Sequence, residues 1–307
     1  MFITAIGPTY RRPALAANML YLWEQQTHPK DQCHLMICDD GDTYEEQSGE
    51  NWTLLSPPEL EYGYLGNMQY IIDNAPKETE GFVFFHDDDL YWPNYVSNHS
   101  DALEQGDFSK PTFCLVHYGT NLQAERRTFW DTLGFTPDLL KRIGGLEMMK
   151  IPPFDWIHLA RFEEKSKKTM EPWHTFDKSQ FCYGWSATGY PHGSTFIANN
   201  DDTEYNRKFR DASPHNKLEG RLIAKQDYRT SVIYGLMQSL PSNITEPGAL
   251  VENVKHHQPP VSSTSPPLNH IVTPPPVSVV TTSQINIVAT HRSTPPPYIH
   301  RSKRPVN

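Results

Sequence analysis

At 307 residues the chain can bury a substantial core, arranged as one or two domains. Its 36 acidic residues outnumber 27 basic ones, and the net charge of -9 excludes bulk attraction to nucleic acid or anionic membranes, though not a local basic groove. No apolar run reaches the roughly 18 residues of a membrane span, and Cys33, Cys38, Cys114 and Cys182 lack CxxC spacing, which favours buried free thiols over a zinc site or disulfides.

Residues 2–6 read as a first strand stopped by Gly7-Pro8, followed by a loop and a helix opened by Pro13, with Leu15, Met19, Leu22 and Trp23 on one face. Residues 35–38 form a second strand running into Asp39-Asp40-Gly41-Asp42. A Gly-containing loop at 63–66 leads to a helix carrying Leu65, Met68 and Ile72. Residues 82–85 are the next strand, and Pro93 opens another helix with Val96 and Leu103 inward and Gly106 as its stop. Residues 112–117 are a further strand. Thr136 is placed to cap a helix that has Pro137 at its first position and ends at Gly144-Gly145. Asp155 is expected to cap the last helix, with Glu163 and Glu164 set four residues before Lys167 and Lys168. From about residue 241 Pro, Ser and Thr dominate, a composition that buries too little apolar surface to offset chain ordering and predicts a disordered or polyproline-like tail.

Strand and helix alternate through about residue 106, which predicts an α/β fold with a mostly parallel central sheet. The expected organisation is an α/β half over 1–110, a second half over 111–240 and the tail over 241–307. The start of the chain lacks a basic segment followed by a long apolar one, so no signal peptide is expected and a cytoplasmic protein is anticipated.

Two strand ends carry carboxylates, and in open α/β sheets ligands bind at that carboxyl edge. The sharper of the two is Phe82-Val83-Phe84-Phe85-His86-Asp87-Asp88-Asp89. Three adjacent carboxylates repel one another, and a hard divalent cation such as Mn²⁺ or Mg²⁺ supplies a reason to place them after a buried strand. A solvated acidic turn is the plainer alternative. For Asp39-Asp40-Gly41-Asp42 the alternative is a polar turn.

Several stretches, in this order, resemble the family 2 glycosyltransferases, whose fold is the Rossmann-like, nucleotide-sugar-binding GT-A type. ITAIGPTYRR (3–12) looks like the family's opening strand and "PTYNR" loop, LMICDDGD (35–42) like its "VVDDGS" strand end, and GYLGN (63–67) like the helix start with a frequent Asn. FFHDDDLYWP (84–93) looks like the DxD motif. LLKRIGG with the following FDW (154–156) is similar to a Gly-Gly turn followed by the "ED" motif, and PHGST (191–195) to a late "HGNS" stretch. The resemblance covers roughly residues 1–200.

The resemblance implies a metal-dependent transferase that moves a sugar from a nucleoside diphosphate sugar, UDP favoured, to an acceptor hydroxyl by inverting displacement. In that reading Asp87 and Asp89 hold the metal, with His192 near it or the diphosphate, and Asp88 faces the donor sugar or ribose. Asp39 accepts a hydrogen bond from the base, and Pro8, Thr9 and Tyr10 line the base pocket. Asn67 matches the family's Asn, and Arg12 (or Arg11) meets phosphate. Asp155 matches the general base, although Phe154 replaces the usual Glu, and a helix cap explains Asp155 as well. Asp202, beside Asp201, is the competing base. Trp173, Phe181, Tyr183, Trp185 and Tyr190 either stack on an acceptor or fill the core. The acceptor stays open among a glycan, a protein, a lipid and a modified nucleobase.

Two other classes compete with a transferase. A non-enzymatic nucleotide-sugar or carbohydrate-binding module would have lost the base, and the Phe154 departure favours it. A nucleotidyltransferase would normally bring a Gly-rich basic phosphate loop, whereas Gly7-Pro8-Thr9-Tyr10-Arg11-Arg12 holds a single Gly.

Overall fold

The computed structural model describes residues 1–10, 13–39, 44–57, 63–118, 121–148, 154–175, 179–183, 221–226 and 250–251, all within one compact unit, Met1–His256. In chain order the elements are β1 (Ile3–Thr9), α1 (Pro13–Glu24), β2 (Cys33–Asp39), β3 (Gln47–Ser48), β4 (Trp52–Leu55), α2 (Tyr64–Asp73), β5 (Gly81–Phe84), β6 (Leu90–Tyr91) and α3 (Tyr95–Gln105). There follow β7 (Phe108–Ser109), β8 (Phe113–Tyr118), β9 (Asn121–Arg126), β10 (Gly134–Phe135), α4 (Pro137–Ile143), α5 (Phe154–Lys165), β11 (Thr169–Met170), β12 (Phe181–Tyr183) and β13 (Leu250–Val251).

The fold is α/β, built on a sheet of order β11-β7-β10-β5-β1-β2-β4-β3. Its central strands β5, β1, β2 and β4 are all parallel, and antiparallel pairs at β10 and β3 flank them. Both faces of this block are covered, so its strands read as unbroken apolar runs instead of alternating ones. Ile3, Ala5, Val83 and Phe85 point into one core with Met19 and Trp23 of α1 and Val96 and Leu103 of α3. Ile6, Phe82 and Phe84 point into the other, against Leu65 and Met68 of α2, Leu139 of α4 and Phe162 of α5.

β1 runs on through Gly7 and Pro8 to Thr9, pairing with β2 as far as Thr9↔Asp39. The sequence reading stops this strand too early, for a reason visible in the ladder. Alternate residues of a strand face the same neighbour, so Pro8 faces the side of Ile6, towards β5. That pairing ends at Ile6↔Phe84, so the N–H that Pro lacks is not called on there. Gly7 is required by packing: a Cβ there would lie 2.9 Å from Met19 Sδ and 3.3 Å from Leu35 Cδ1.

A second sheet has the order β13-β9-β8-β12-β6. Because β6 pairs antiparallel with β12, residues 86–89 carry the chain from a central strand of the first sheet to the edge of the second. Strands on either side of residue 110 are shared between the two sheets, β6 joining the second and β10 and β11 the first. Leu250 and Val251, inside the stretch read as a tail, pair with Gln123 and Leu122 of β9. The Pro-rich stretch beyond them lies outside the described residues.

Two helix starts differ in their chemistry. Thr136 caps α4 as the sequence predicts, its hydroxyl accepting from the Leu139 amide, and Gly144 ends the helix at φ 84°. Asp155 is not a cap: α5 begins at Phe154, which puts Asp155 inside the first turn, where the helix dipole favours its charge. The helix ends at Lys165, so Glu163 and Glu164 do not meet Lys167 and Lys168 but pair with Lys110 and Lys165.

The chain after α5 is held by Asp107, which accepts from the Ser166 hydroxyl at 2.7 Å, from the Lys167 and Lys168 amides, and from the Arg142 guanidinium. Burial works against its charge, but these donors outweigh burial and hold the carboxyl below its ordinary 3.8. Asp107→Ala should lower unfolding free energy at neutral pH by about 2 kcal/mol, read as a reduced denaturant midpoint at constant slope. Because the native pKa is depressed, the wild-type advantage is full above 3.8 and fades as pH falls through the lower native value. An advantage that persists undiminished in strong acid contradicts this account.

All four cysteines are buried thiols outside any disulfide, and among the described residues no helix is long and apolar enough to cross a membrane.

Candidate active site

The carboxyl ends of β5, β1 and β2 lie side by side, and the residues that follow them meet there. Thr9, the last residue of β1, donates its hydroxyl to Asp87 Oδ2 at 2.7 Å, joining the β1 end to the turn after β5. Asn67 of α2 donates Nδ2 to the Thr9 carbonyl at 3.4 Å and accepts from the Cys38 thiol through Oδ1. Asp39 stands opposite Thr9 in the register. The tertiary structure therefore gathers Thr9, Asp39, Asn67 and the 87–89 turn at one sheet edge. Asp39, Asp87, Asp88 and Asp89 are all buried, at 5% exposure or less, so the acidic turn is not a solvated one.

Pro8 is a buried strand residue rather than part of a loop, while Tyr10 is exposed just beyond the strand end. Near Asp39, burial and then the Asp39 charge push the Tyr44 phenol up to about 12, which keeps it protonated.

His86 and Asp131 belong to the same cluster, and sequence reasoning singled out neither. Asp131 sits in the short 3-10 turn Trp130–Thr132. That turn is fixed by the Phe84 amide donating to the Leu133 carbonyl and by Trp130 packing 4.9 Å from Phe84. His86 Nδ1 lies 2.8 Å from Asp131 Oδ1, and its Nε2 hydrogen-bonds the Tyr64 hydroxyl at 2.9 Å. The His86 amide donates to the Tyr91 hydroxyl at 2.7 Å, which fixes the backbone at the head of the turn. Burial disfavours charge on the imidazole, but the Asp131 carboxylate, with Asp88 and Asp87, wins and raises its pKa above 6.5. Burial first, and the Asp131 and Asp89 charges next, push Tyr64, Tyr91 and Tyr95 well above the usual phenol range, so all three remain hydrogen-bond donors.

One group of potential metal ligands converges among the described residues: His86, Asp89 and Asp131, whose ligand atoms all lie within 4.8 Å of one another. Two ligands about 2.1 Å from one ion and at right angles to each other are about 3 Å apart, and opposed ligands about 4.2 Å. The 4.8 Å bound is slightly wider than that, so these three side chains would hold a divalent cation after drawing together by a few tenths of an ångström.

Of the aromatics read as either acceptor platform or core, Trp173 and Phe181 are core. Trp173 donates to the Phe113 carbonyl and packs edge-on to His99, and Phe181 lies against Tyr91. Tyr183 is half-buried, stacked 4.3 Å from Phe129, and feels the Asp131, Asp89 and Asp88 charges. The exposed Arg127 guanidinium lies 4.9 Å over the same Phe129 ring, bringing a cation to the margin of the acidic cluster.

Asp155 is half-exposed on α5, whose His158 and Phe162 pack on Trp130 beside Asp131. Arg11, Arg12, Asp40, Asp42, Trp185, Tyr190, His192, Asp201 and Asp202 lie outside the described residues, as does the side chain of Phe154.

His86 adjoins the acidic triplet and was within reach of a sequence reading. Asp131 carries no local motif, and only the folded chain brings it back to β5.

No protein-family model matches the sequence, and no curated protein matches it. Among solved structures the chain is similar to S. aureus TarS 1-349, at 12% identity and TM-score 0.46, covering 60% of each chain. The same protein in complex with UDP-GlcNAc matches at 13% identity and TM-score 0.46, over 59% of this chain and 58% of that one. The mannosyltransferase PcManGT from Pyrobaculum calidifontis, in complex with GDP-Man and Mn²⁺, matches at 14% identity and TM-score 0.46, over 78% and 76%. The chain thus spans about 60% of the length of TarS 1-349. At this degree of likeness no residue role is transferred from these proteins.

Proposed function

We propose that the protein is a metal-dependent glycosyltransferase that moves a sugar from a nucleoside diphosphate sugar, a UDP-sugar first, to an acceptor hydroxyl by inverting displacement. The observation that carries this reading is the meeting of three parallel strand ends at a buried acidic turn, with Thr9, Asp39 and Asn67 beside it. A buried cluster of carboxylates at the carboxyl edge of a parallel sheet suits a cation and the phosphates it would bridge.

Asp39 accepts the N–H of the base, and a uracil ring offers one. Tyr10, exposed beyond the end of β1, would line the base pocket, and Arg12 is proposed to meet phosphate. Asp89 holds the cation, with Asp87 beside it in the same turn tied to Thr9, Asp88 orients the donor sugar or ribose, and His192 is proposed for the diphosphate. A bound cation supplies Lewis-acid stabilisation of the diphosphate leaving group. In the transfer the acceptor oxygen forms a bond to the anomeric carbon, the bond from that carbon to the phosphate oxygen breaks, and its electron pair leaves with the nucleoside diphosphate. The acceptor proton passes to Asp155, with Asp202 as the other candidate base.

A thermal-shift panel of UDP-glucose, UDP-GlcNAc and GDP-mannose, with and without Mn²⁺, tests the reading. One donor at about 100 times its Kd should stabilise the fold by about 2.7 kcal/mol, and only with metal present. No shift with any nucleotide sugar removes the proposal. A shift without turnover on any acceptor leaves the binding-module reading instead.

A further inference from the structure

We infer that the cation is held by His86 and Asp131 together with Asp89, and that the imidazole ligand makes the site prefer Mn²⁺ to Mg²⁺. The inference builds on the proposed function for its setting, but the metal site stands on its own geometry. The acidic turn alone offers only carboxylates, and Asp87 has one oxygen committed to Thr9 at 2.7 Å. Asp89 instead shares its ligand atom's surroundings with two groups from outside the DxD pair. His86 Nδ1 and Asp131 Oδ1 are hydrogen-bonded at 2.8 Å, and a cation that displaced the shared proton would find the two atoms already near the spacing of neighbouring ligands.

The supporting contacts are those a metal-binding histidine requires. Tyr64 holds Nε2 at 2.9 Å and meets the ring edge-on at 5.3 Å, so the imidazole is oriented from its far side while Nδ1 faces the carboxylates. The two turns that supply the ligands are tied to each other: the Phe84 amide donates to Leu133, and the Tyr91 hydroxyl bonds both the His86 amide and, at 3.4 Å, the Asp131 carbonyl. Such a site is largely built before any ion arrives. Its ligand chemistry also sets the choice of ion. All-oxygen sites suit Mg²⁺, whereas a nitrogen ligand favours first-row transition ions over it.

Electron spin-echo spectroscopy of Mn²⁺ bound to the wild-type protein, with and without UDP, tests this directly. A ¹⁴N coupling from one imidazole is expected, lost in His86→Gln. In parallel, Asp131→Asn and Asp89→Asn should each weaken Mn²⁺ binding tenfold or more, Asp87→Asn should weaken it less than threefold, and Mn²⁺ should displace Mg²⁺ at a tenth of its concentration or less. Bound Mn²⁺ with no ¹⁴N coupling, a coupling that survives His86→Gln, or no Mn²⁺ binding at millimolar levels overturns the inference. The wild-type spectrum decides even if a variant fails to fold. Metal binding without UDP is read separately from any donor shift, so a failure of the transferase reading remains distinguishable.

Discussion

Asp89→Ala is expected to abolish metal-dependent transfer, and donor hydrolysis with it, by a factor of a thousand or more, about 4 kcal/mol of transition-state stabilisation. Asp89 is buried to 1% exposure at the head of β6, where the chain passes from one sheet to the other, and its carboxylate faces His86 and Asp131. Loss of this carboxylate takes a ligand from a cation whose charge would act on the departing diphosphate, an effect realised most in the transition state. The loss should therefore appear mainly in kcat, together with loss of the metal-dependent part of the thermal shift. The comparison is sound only if the variant folds, and circular dichroism with the metal-free Tm checks that. Full activity in a folded Asp89→Ala protein would remove the acidic turn from the chemistry.

The second large effect is expected at Asp155. Asp155→Asn keeps the volume of the side chain and its place in the first turn of α5 but removes its basicity. Donor binding and the metal-dependent shift should stay within twofold of wild type while transfer falls by about 10²–10⁴. That split separates a base from a residue that shapes the donor pocket, since a pocket residue would move donor affinity as well. Unchanged turnover would assign the proton to another group, and Asp202 is the next to test. Because α5 packs through His158 and Phe162 on the turn bearing Asp131, a change in its first turn can also be checked by the Mn²⁺ signal, which should not move.

Much of the central sheet was legible along the chain, because a parallel strand covered on both faces leaves a continuous apolar run. Residues 82–85 and 35–38 are such runs, and each ends in the acid that the fold delivers to the sheet edge. The end of β1 was misread because proline stops a strand only where its missing N–H is needed, and need depends on which neighbour Pro8 faces. The last helix was misread at both ends for a related reason. Its first turn begins two residues earlier than an Asp155 cap would place it, and the Lys167 and Lys168 amides are drawn off by Asp107.

The sequence by itself determined the α/β alternation and the acidic strand ends, because apolar runs, helix caps and adjacent carboxylates act over a few neighbouring residues. Only the tertiary structure decided the company those carboxylates keep. Asp131 returns to the β5 end because Trp130 packs on Phe84 and Leu133 accepts from its amide, contacts between residues more than 40 positions apart. The same folding turned the triplet outward from a parallel strand into a second sheet, burying three charges that in an isolated turn would remain in water. Burial raises the energy of a carboxylate unless other groups answer its charge. The arrangement of imidazole, phenols and carboxylates around Asp89 is therefore a property of the packed chain and has no signature in any one stretch of it.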